Sequence, residues 1–342
     1  MTEKRPIATI ADVARLAGVS TATVSRTLRR PSLVSGPTRA RVLSAADALS
    51  YSLTKSASSL ASGRTEHIAL LNGGSLNQWF TSEIINGAYT VIHEHHLDLT
   101  VYRARDTSER REFFETLPAR RNADAMLVTS FNLSPDEFAI LQRLGMPIVL
   151  LNMLTPGHTN VSIDDAAAGR DVARLLLELG HDTLAYVGPE PGHRGLSWSS
   201  DARWTGFHDE IRTRAPFASV SMVRLPAPLV TDAAQHAVSE LLARRPRPTA
   251  IFVQLDELAI PIMFRLRQRG IRIPEDISVI GFDDHPLAKD LGLTTVRQPV
   301  GDIGARGADL AIRLIADDAG TRHEVLVPTT IIERSTTAGP AR

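Results

Sequence analysis

TIADVARLAGVSTATVSRTL, residues 9–28, reads as two short helices joined by a tight turn. Thr9 is placed to cap the first helix, whose inner side would be Ile10, Val13, Ala14 and Ala17. Gly18 can take the positive φ that a sharp turn requires, and Val19 fills the angle between the helices. Ser20 caps the second helix, with Val24 and Leu28 inward, four residues apart. Thr21, Ala22, Ser25, Arg26 and Arg29 are left facing out. That face is short and polar, so it can approach a duplex closely, and Arg26 offers a forked donor suited to a guanine edge. The layout predicts a helix-turn-helix DNA reader, although a plain helical hairpin would use the same inner pattern.

Working outward, a third helix is expected from about Pro37 to Leu49, entered through Ser35, with Val42, Ala45, Ala46 and Leu49 inward. It would close a helical bundle over residues 1–50. Residues 51–64 contain little that could form a core and read as a linker. From Glu66 onward the texture changes. Short apolar runs (HIALLN, LDLTVYRA, ADAMLVTS, PIVLLN, then TLAYVGP, SVSMVRL, AIFVQL, ISVIGF) alternate with helical stretches near 82–95, 108–120, 135–144, 166–179, 201–214, 232–244 and 256–269. Such alternation predicts βαβ units and parallel sheets covered on both faces. Two successive runs predict two open α/β subdomains, with a ligand cleft at the carboxyl ends of their strands.

Bulk composition agrees with a globular protein of about two domains: 342 residues, 43% hydrophobic and 22% charged. There is no cysteine, which excludes disulfides and thiolate metal sites and fits a reducing cytoplasm. No apolar leader and no membrane-spanning run is visible. The zero net charge hides a split. Residues 1–64 hold ten Lys/Arg against three acids, or +7, so with 38 of each in the chain the remainder holds 28 against 35, or −7. A basic head on an acidic body suits phosphate contact by the head.

Several chemical signals are weaker. His93-Glu94-His95-His96 lacks an identifiable third ligand, so no metal is expected. Gly301, Gly304 and Gly307 recur every third residue in a helical stretch, which is not a dinucleotide spacing. Neither a phosphate-binding GxxxxGK[ST] nor a GxSxG nucleophile elbow occurs, and nothing pairs a nucleophile with a base. No cofactor and no enzymatic activity are expected. The C-terminal stretch lacks leucine heptads, which favours a dimer over a tetramer.

Collinear motifs make the chain resemble the LacI/GalR family of bacterial transcription regulators over nearly its whole length. TIADVARLAGVSTATVSRTL resembles the family's DNA-reading unit, VSGPTRARVLSAADALSY its third helix and SASSLASGR its hinge. GMPIVLLN, VSIDDAAAGR, LGHDTLAYVG, PTAIFVQLDELA, IPEDISVIGFDD and LTTVRQPV are similar to its regulatory body. The resemblance implies a homodimer on a pseudo-palindromic operator, with a hinge at 51–64 and an effector-binding and dimerisation domain at 65–342. The N-subdomain would span about 65–163 plus 298–327, and the C-subdomain about 164–297 plus 328–342. It implies base contacts from Thr21, Ala22 and Arg26, supported by Arg29, and backbone contacts from Ile10, Ser20, Thr23, Ser25 and Thr38. In the hinge it implies DNA contacts from Lys55, Ala57 and Leu60, the last as a minor-groove wedge. The family's proline two residues after the hinge tyrosine is replaced here by Leu53.

For the body, the resemblance implies effector contacts at Asn77, Trp79, Phe80, Asn152, Arg203, Leu255, Asp283 and Gln298. Asn152 stands where aspartate is frequent and Leu255 where asparagine is. A carboxylate, an arginine fork and an aromatic plate suit a sugar, while a nucleoside, a polyol or an aromatic glycoside stays open. Trp79 and Phe80 also fit core positions, Arg203 a surface ion pair, and Asp283 beside Asp284 a helix N-cap. The ligand could induce or corepress. A stand-alone periplasmic-type sugar-binding protein shares the body, and the basic head opposes that alternative.

Overall fold

The structure is a computed structural model and describes residues 8–29, 31–49, 51, 64–104, 107–120, 122–130, 133–189, 201–225, 232–316 and 322–341. Two compact units result, Met1–Glu66 and His67–Arg342.

The first unit holds α1 (Ile10–Ala17), α2 (Thr21–Arg29), a 3-10 turn at Pro31–Leu33 and α3 (Gly36–Ala48). Thr9 and Asp12 form a reciprocal capping box at the start of α1. The helix stops at Gly18, at φ 64 and ψ 42, whose N–H reaches the carbonyls of Ala14 and Arg15. Val13, Ala14, Ala17, Val24, Val42, Ala45 and Ala46 form the core, with Ile10, Val19, Leu28, Leu49 and Tyr51 packed around it. Thr27 is buried as well; its hydroxyl donates to the Thr23 carbonyl at 2.8 Å, which lets a polar residue occupy an inward position.

The second unit is built on two six-stranded sheets. The first has the order β11-β5-β4-β3-β1-β2, from β1 (His67–Asn72), β2 (Asp98–Arg103), β3 (Ala125–Thr129), β4 (Ile148–Leu151), β5 (Asn160–Ser162) and β11 (Glu324–Leu326). The second has the order β12-β10-β9-β8-β6-β7, from β6 (Thr183–Pro189), β7 (Ser219–Leu225), β8 (Ala250–Val253), β9 (Ser278–Asp283), β10 (Thr294–Arg297) and β12 (Thr330–Ile332). Both are doubly wound, as the alternating pattern predicts. One edge departs from the parallel rule: β12 runs antiparallel to β10. The chain reaches it directly from β11, without a crossover helix to carry it back, so it enters the second sheet at the carboxyl edge and runs the other way.

Three short crossings join the sheets, at 163–164, 298–299 and 327–329. The first leads into a helix at Asp165–Glu178, packed on Asp201–Arg214; the second leads into Val300–Ala316, packed on Trp79–Glu94. Glycine permits both close approaches. A Cβ on Gly169 would overlap the Arg203 carbonyl oxygen, and one on Gly304 that of Ile84. The recurring Gly301, Gly304 and Gly307 are therefore a packing ridge: Gly301 lies under Gly87, and Gly307 under the Leu151 side chain. No helix of the described residues is long and apolar enough to cross a membrane.

Candidate functional site

On the first unit, α2 exposes Thr21, Ala22 and Arg26, while Thr23 and Ser25 are half-buried. Ser20 Oγ accepts the Thr23 N–H at 3.2 Å, capping the helix, and lies 2.9 Å from Thr23 Oγ1. Thr38 lies in the first turn of α3, where its Oγ1 accepts a hydrogen bond from Ser35 at 3.0 Å. Ile10 is half-buried against the core. One long forked cation thus projects among short side chains, a face able to lie in a groove. Arg29 ends α2, but its side chain, like Lys55, Ala57 and Leu60, lies outside the described residues.

On the second unit, the carboxyl ends of the strands converge on a buried charged floor. Arg203 rises from the helix Asp201–Arg214, with Nε donating to Asp165 at 2.5 Å and Nη1 to the Gln254 carbonyl at 2.7 Å. Its guanidinium lies 3.4 Å over the Phe282 ring. It is a buried ion pair and not a surface one. Asp283, at the end of β9, accepts the Gln298 amide at 2.6 Å, and both residues are buried. Burial pushes the Asp283 carboxyl up to about 7, against the pull of Arg203. Burial raises Asp165 too, again opposed by Arg203. Neighbouring Asp256 accepts from Thr295 Oγ1 at 2.8 Å and from the His285 N–H at 2.9 Å; burial, then Asp283, lifts it to about 8. One buried cation, Arg203, thus acts on two of these buried acids, Asp165 and Asp283.

Two polar atoms of this region are buried without a hydrogen-bond partner among the described residues: Asn152 Oδ1 and Gln298 Oε1. Asn152 follows β4 at φ 54, and Asp283 has φ 114; left-handed backbone at strand ends of this kind concentrates at functional sites.

At the mouth, the helix expected near residue 82 starts earlier, at Trp79. Its N-cap Gln78 makes no side-chain cap bond; instead the Trp79 N–H donates to Glu257 Oε1 at 3.2 Å, on the opposite subdomain. The Trp79 ring meets His285 edge-on at 5.3 Å between centroids. Trp79 and Phe80 are half-buried and pack against the core cluster, as their core reading expects. Asn77 is exposed and accepts from Ser75 Oγ at 2.6 Å, apart from the buried floor. Leu255 is half-buried as N-cap of Asp256–Gln268. The N-cap role allowed for Asp283 falls to His285, whose Nδ1 accepts the Leu287 N–H at 3.1 Å.

Sequence alone assigns no binding role to Asp165, Asp256, Glu257, Asp284 or His285. An acid in the first turn of a helix ordinarily reads as a solvated dipole partner, and that signal masks Asp165, Asp256 and Glu257. The doubled aspartate of GFDDHP was the one local hint.

A profile described as bacterial regulatory proteins, lacI family, matches residues 9–52, and one described as a periplasmic binding protein-like domain matches residues 173–337. The HTH-type transcriptional repressor PurR of Vibrio atlanticus (strain LGP32) is 31% identical over 335 residues, 96% of this chain and 98% of that protein. Among solved structures, the Lac repressor dimer bound to operator and the anti-inducer ONPF matches with a TM-score of 0.83 at 24% identity, over 97% of this chain and 100% of that one. The transcriptional regulator CelR in complex with cellobiose matches with a TM-score of 0.69 at 25% identity, over 97% and 100% respectively.

Proposed function

The chain belongs to the lacI family of bacterial regulatory proteins, and from that premise we propose that it is a cytoplasmic homodimeric repressor whose grip on a pseudo-palindromic operator is set by a neutral sugar in the cleft. The head reads bases chiefly through Arg26, with Thr21 and Ala22 allowing close approach and Arg29 beside them; residues 51–64 act as the hinge, with Lys55, Ala57 and Leu60 on the DNA. Asn152, Arg203, Asp283 and Gln298 hold the ligand, with Trp79 as an aromatic plate and Asn77, Phe80 and Leu255 at its rim. The role is binding and not catalysis.

The observation that carries the effector reading is the buried acceptor Gln298 Oε1, on a floor that also offers a guanidinium and a carboxylate, with a second buried acceptor, Asn152 Oδ1, at the carboxyl end of β4. Hydroxyl groups answer both acceptors and donors, and bidentate pairing of vicinal hydroxyls satisfies such a floor at little cost. The cellobiose held by the matching regulator agrees in chemistry. Apolar Leu255, two residues before the Glu257 that holds the Trp79 N–H, favours one second reading, a nucleoside whose base stacks on Trp79. Thermal unfolding of the full chain against ribose, cellobiose, galactose, adenosine and glucose 6-phosphate separates the two. A rise with a neutral sugar alone supports the first reading; a rise with adenosine alone replaces it by the second.

A further inference from the structure

The loop after β9 carries two consecutive aspartates in left-handed conformations, Asp283 at φ 114 and Asp284 at φ 56. Non-glycine residues keep such angles where their surroundings over-determine them. Asp283 is linked to two crossings. Gln298, in the second, donates to it, and Arg203, which acts on it electrostatically, is paired to Asp165 at the exit of the first.

Asp284 is linked to the second crossing and to the exit of the strand that the third one feeds. Its Oδ2 accepts from Arg297 Nε at 2.7 Å, and its Oδ1 accepts from Arg334 Nη2 at 2.6 Å. Arg297 is the last residue of β10, immediately before the second crossing; Arg334 lies two residues past β12, the strand that the third crossing feeds. Arg334 is itself fixed, with Nη1 donating to the Leu293 carbonyl at 2.7 Å and its backbone N–H to Thr294 Oγ1 at 2.9 Å. Burial disfavours the Asp284 carboxylate, but the two guanidiniums outweigh it and hold the group below the ordinary range. Charged through the neutral range and mostly shielded, it is a pin and not a solvated surface acid.

We propose that Asp284 is a positioning residue that clamps the second crossing to β12, the strand fed by the third, so that a ligand engaging the neighbouring Asp283 moves both as one body. The inference rests on the reading of Asp283 as an effector contact. The β10–β12 ladder itself joins three residue pairs, from Thr295 with Ile332 to Arg297 with Thr330. With the end of β10 and the exit of β12 also pinned to Asp284, it passes cleft closure on as rotation of one sheet against the other instead of slipping locally.

Hydrogen exchange on the unliganded full chain tests the clamp without ligand or operator. Asp284→Asn keeps a residue tolerant of left-handed backbone. In it, amides of residues 297–301 and 330–334 should exchange about tenfold faster while β1 and β9 keep wild-type protection. Arg297→Gln should loosen chiefly the first segment and Arg334→Gln chiefly the second, which keeps the test alive if Asp284→Asn folds poorly. With ribose and cellobiose as probes, any probe that shifts wild-type operator affinity should bind Asp284→Asn within about threefold of wild type, yet lose most of its effect on the operator. Unchanged exchange in both segments, an even rise across both sheets, or a fully retained operator shift would overturn the clamp. If no probe moves the wild-type operator affinity, the effector reading fails instead, and the exchange pattern alone decides on Asp284.

Discussion

Arg26 is exposed on α2 between side chains too short to read much more than a thymine methyl. Arg26→Ala should therefore cost about 1–3 kcal/mol at a selected half-site and relax the preference for one G·C pair, measured by titration against site variants. An equal loss on every sequence would make Arg26 a phosphate contact. Asp256 makes the second prediction at this scale. Its folded carboxyl sits at about 8, against an unfolded value near 4, so its contribution is full below about 4 and is lost as the pH rises towards 8. The unliganded melting temperature should fall over that window, and Asp256→Asn, which can still accept the His285 N–H, should flatten the fall. A parallel pH profile in the variant would refute it. Arg203, Asp283 and Gln298 could be named from collinear motifs because their neighbours in sequence are distinctive. Asp165 and Asp256 could not, because nothing in DDAAAG or LDELA says that the helix start will be sealed beneath a sheet.

At the scale of elements, continuous apolar strands and capped helices are written locally, and the structure follows them closely. Thr9 with Asp12, and Gly18, set both ends of α1 within ten residues. Gly18→Ala meets no neighbour but must hold φ 64, so it should cost about 1–2 kcal/mol in denaturant unfolding. Gly304→Ala is a different case. Its added methyl would overlap the Ile84 carbonyl, and a loss of about 1–3 kcal/mol is expected despite the better helix propensity of alanine. A neutral or stabilising result would mean that the two helices can part without penalty. The start of the helix at Trp79 was illegible for a physical reason: the group that accepts its N–H is Glu257, 178 positions later. No local window contains that cap.

For the molecule as a whole, the charge split gives a prediction on salt. On the proposed reading the +7 head meets phosphates while the −7 remainder opposes them, so operator affinity should fall steeply and log-linearly with salt. A chain lacking residues 1–64 should show no duplex affinity at any salt; measurable binding by it would relocate the interface. The two-lobed architecture was legible in the sequence as two successive runs of alternation, but the reversed edge strand β12 was not, because its direction is imposed by the lack of a helix between it and β11. That return path also bears on biogenesis. Each sheet takes its last strand from the region beyond residue 323, so a ribosome that has made β1–β5 and β6–β10 has finished neither lobe. Until the distal strands emerge, β5 and β10 each stand as an open edge. The nascent chain is then most exposed to mispairing, and a chaperone that shields strand edges would help it most.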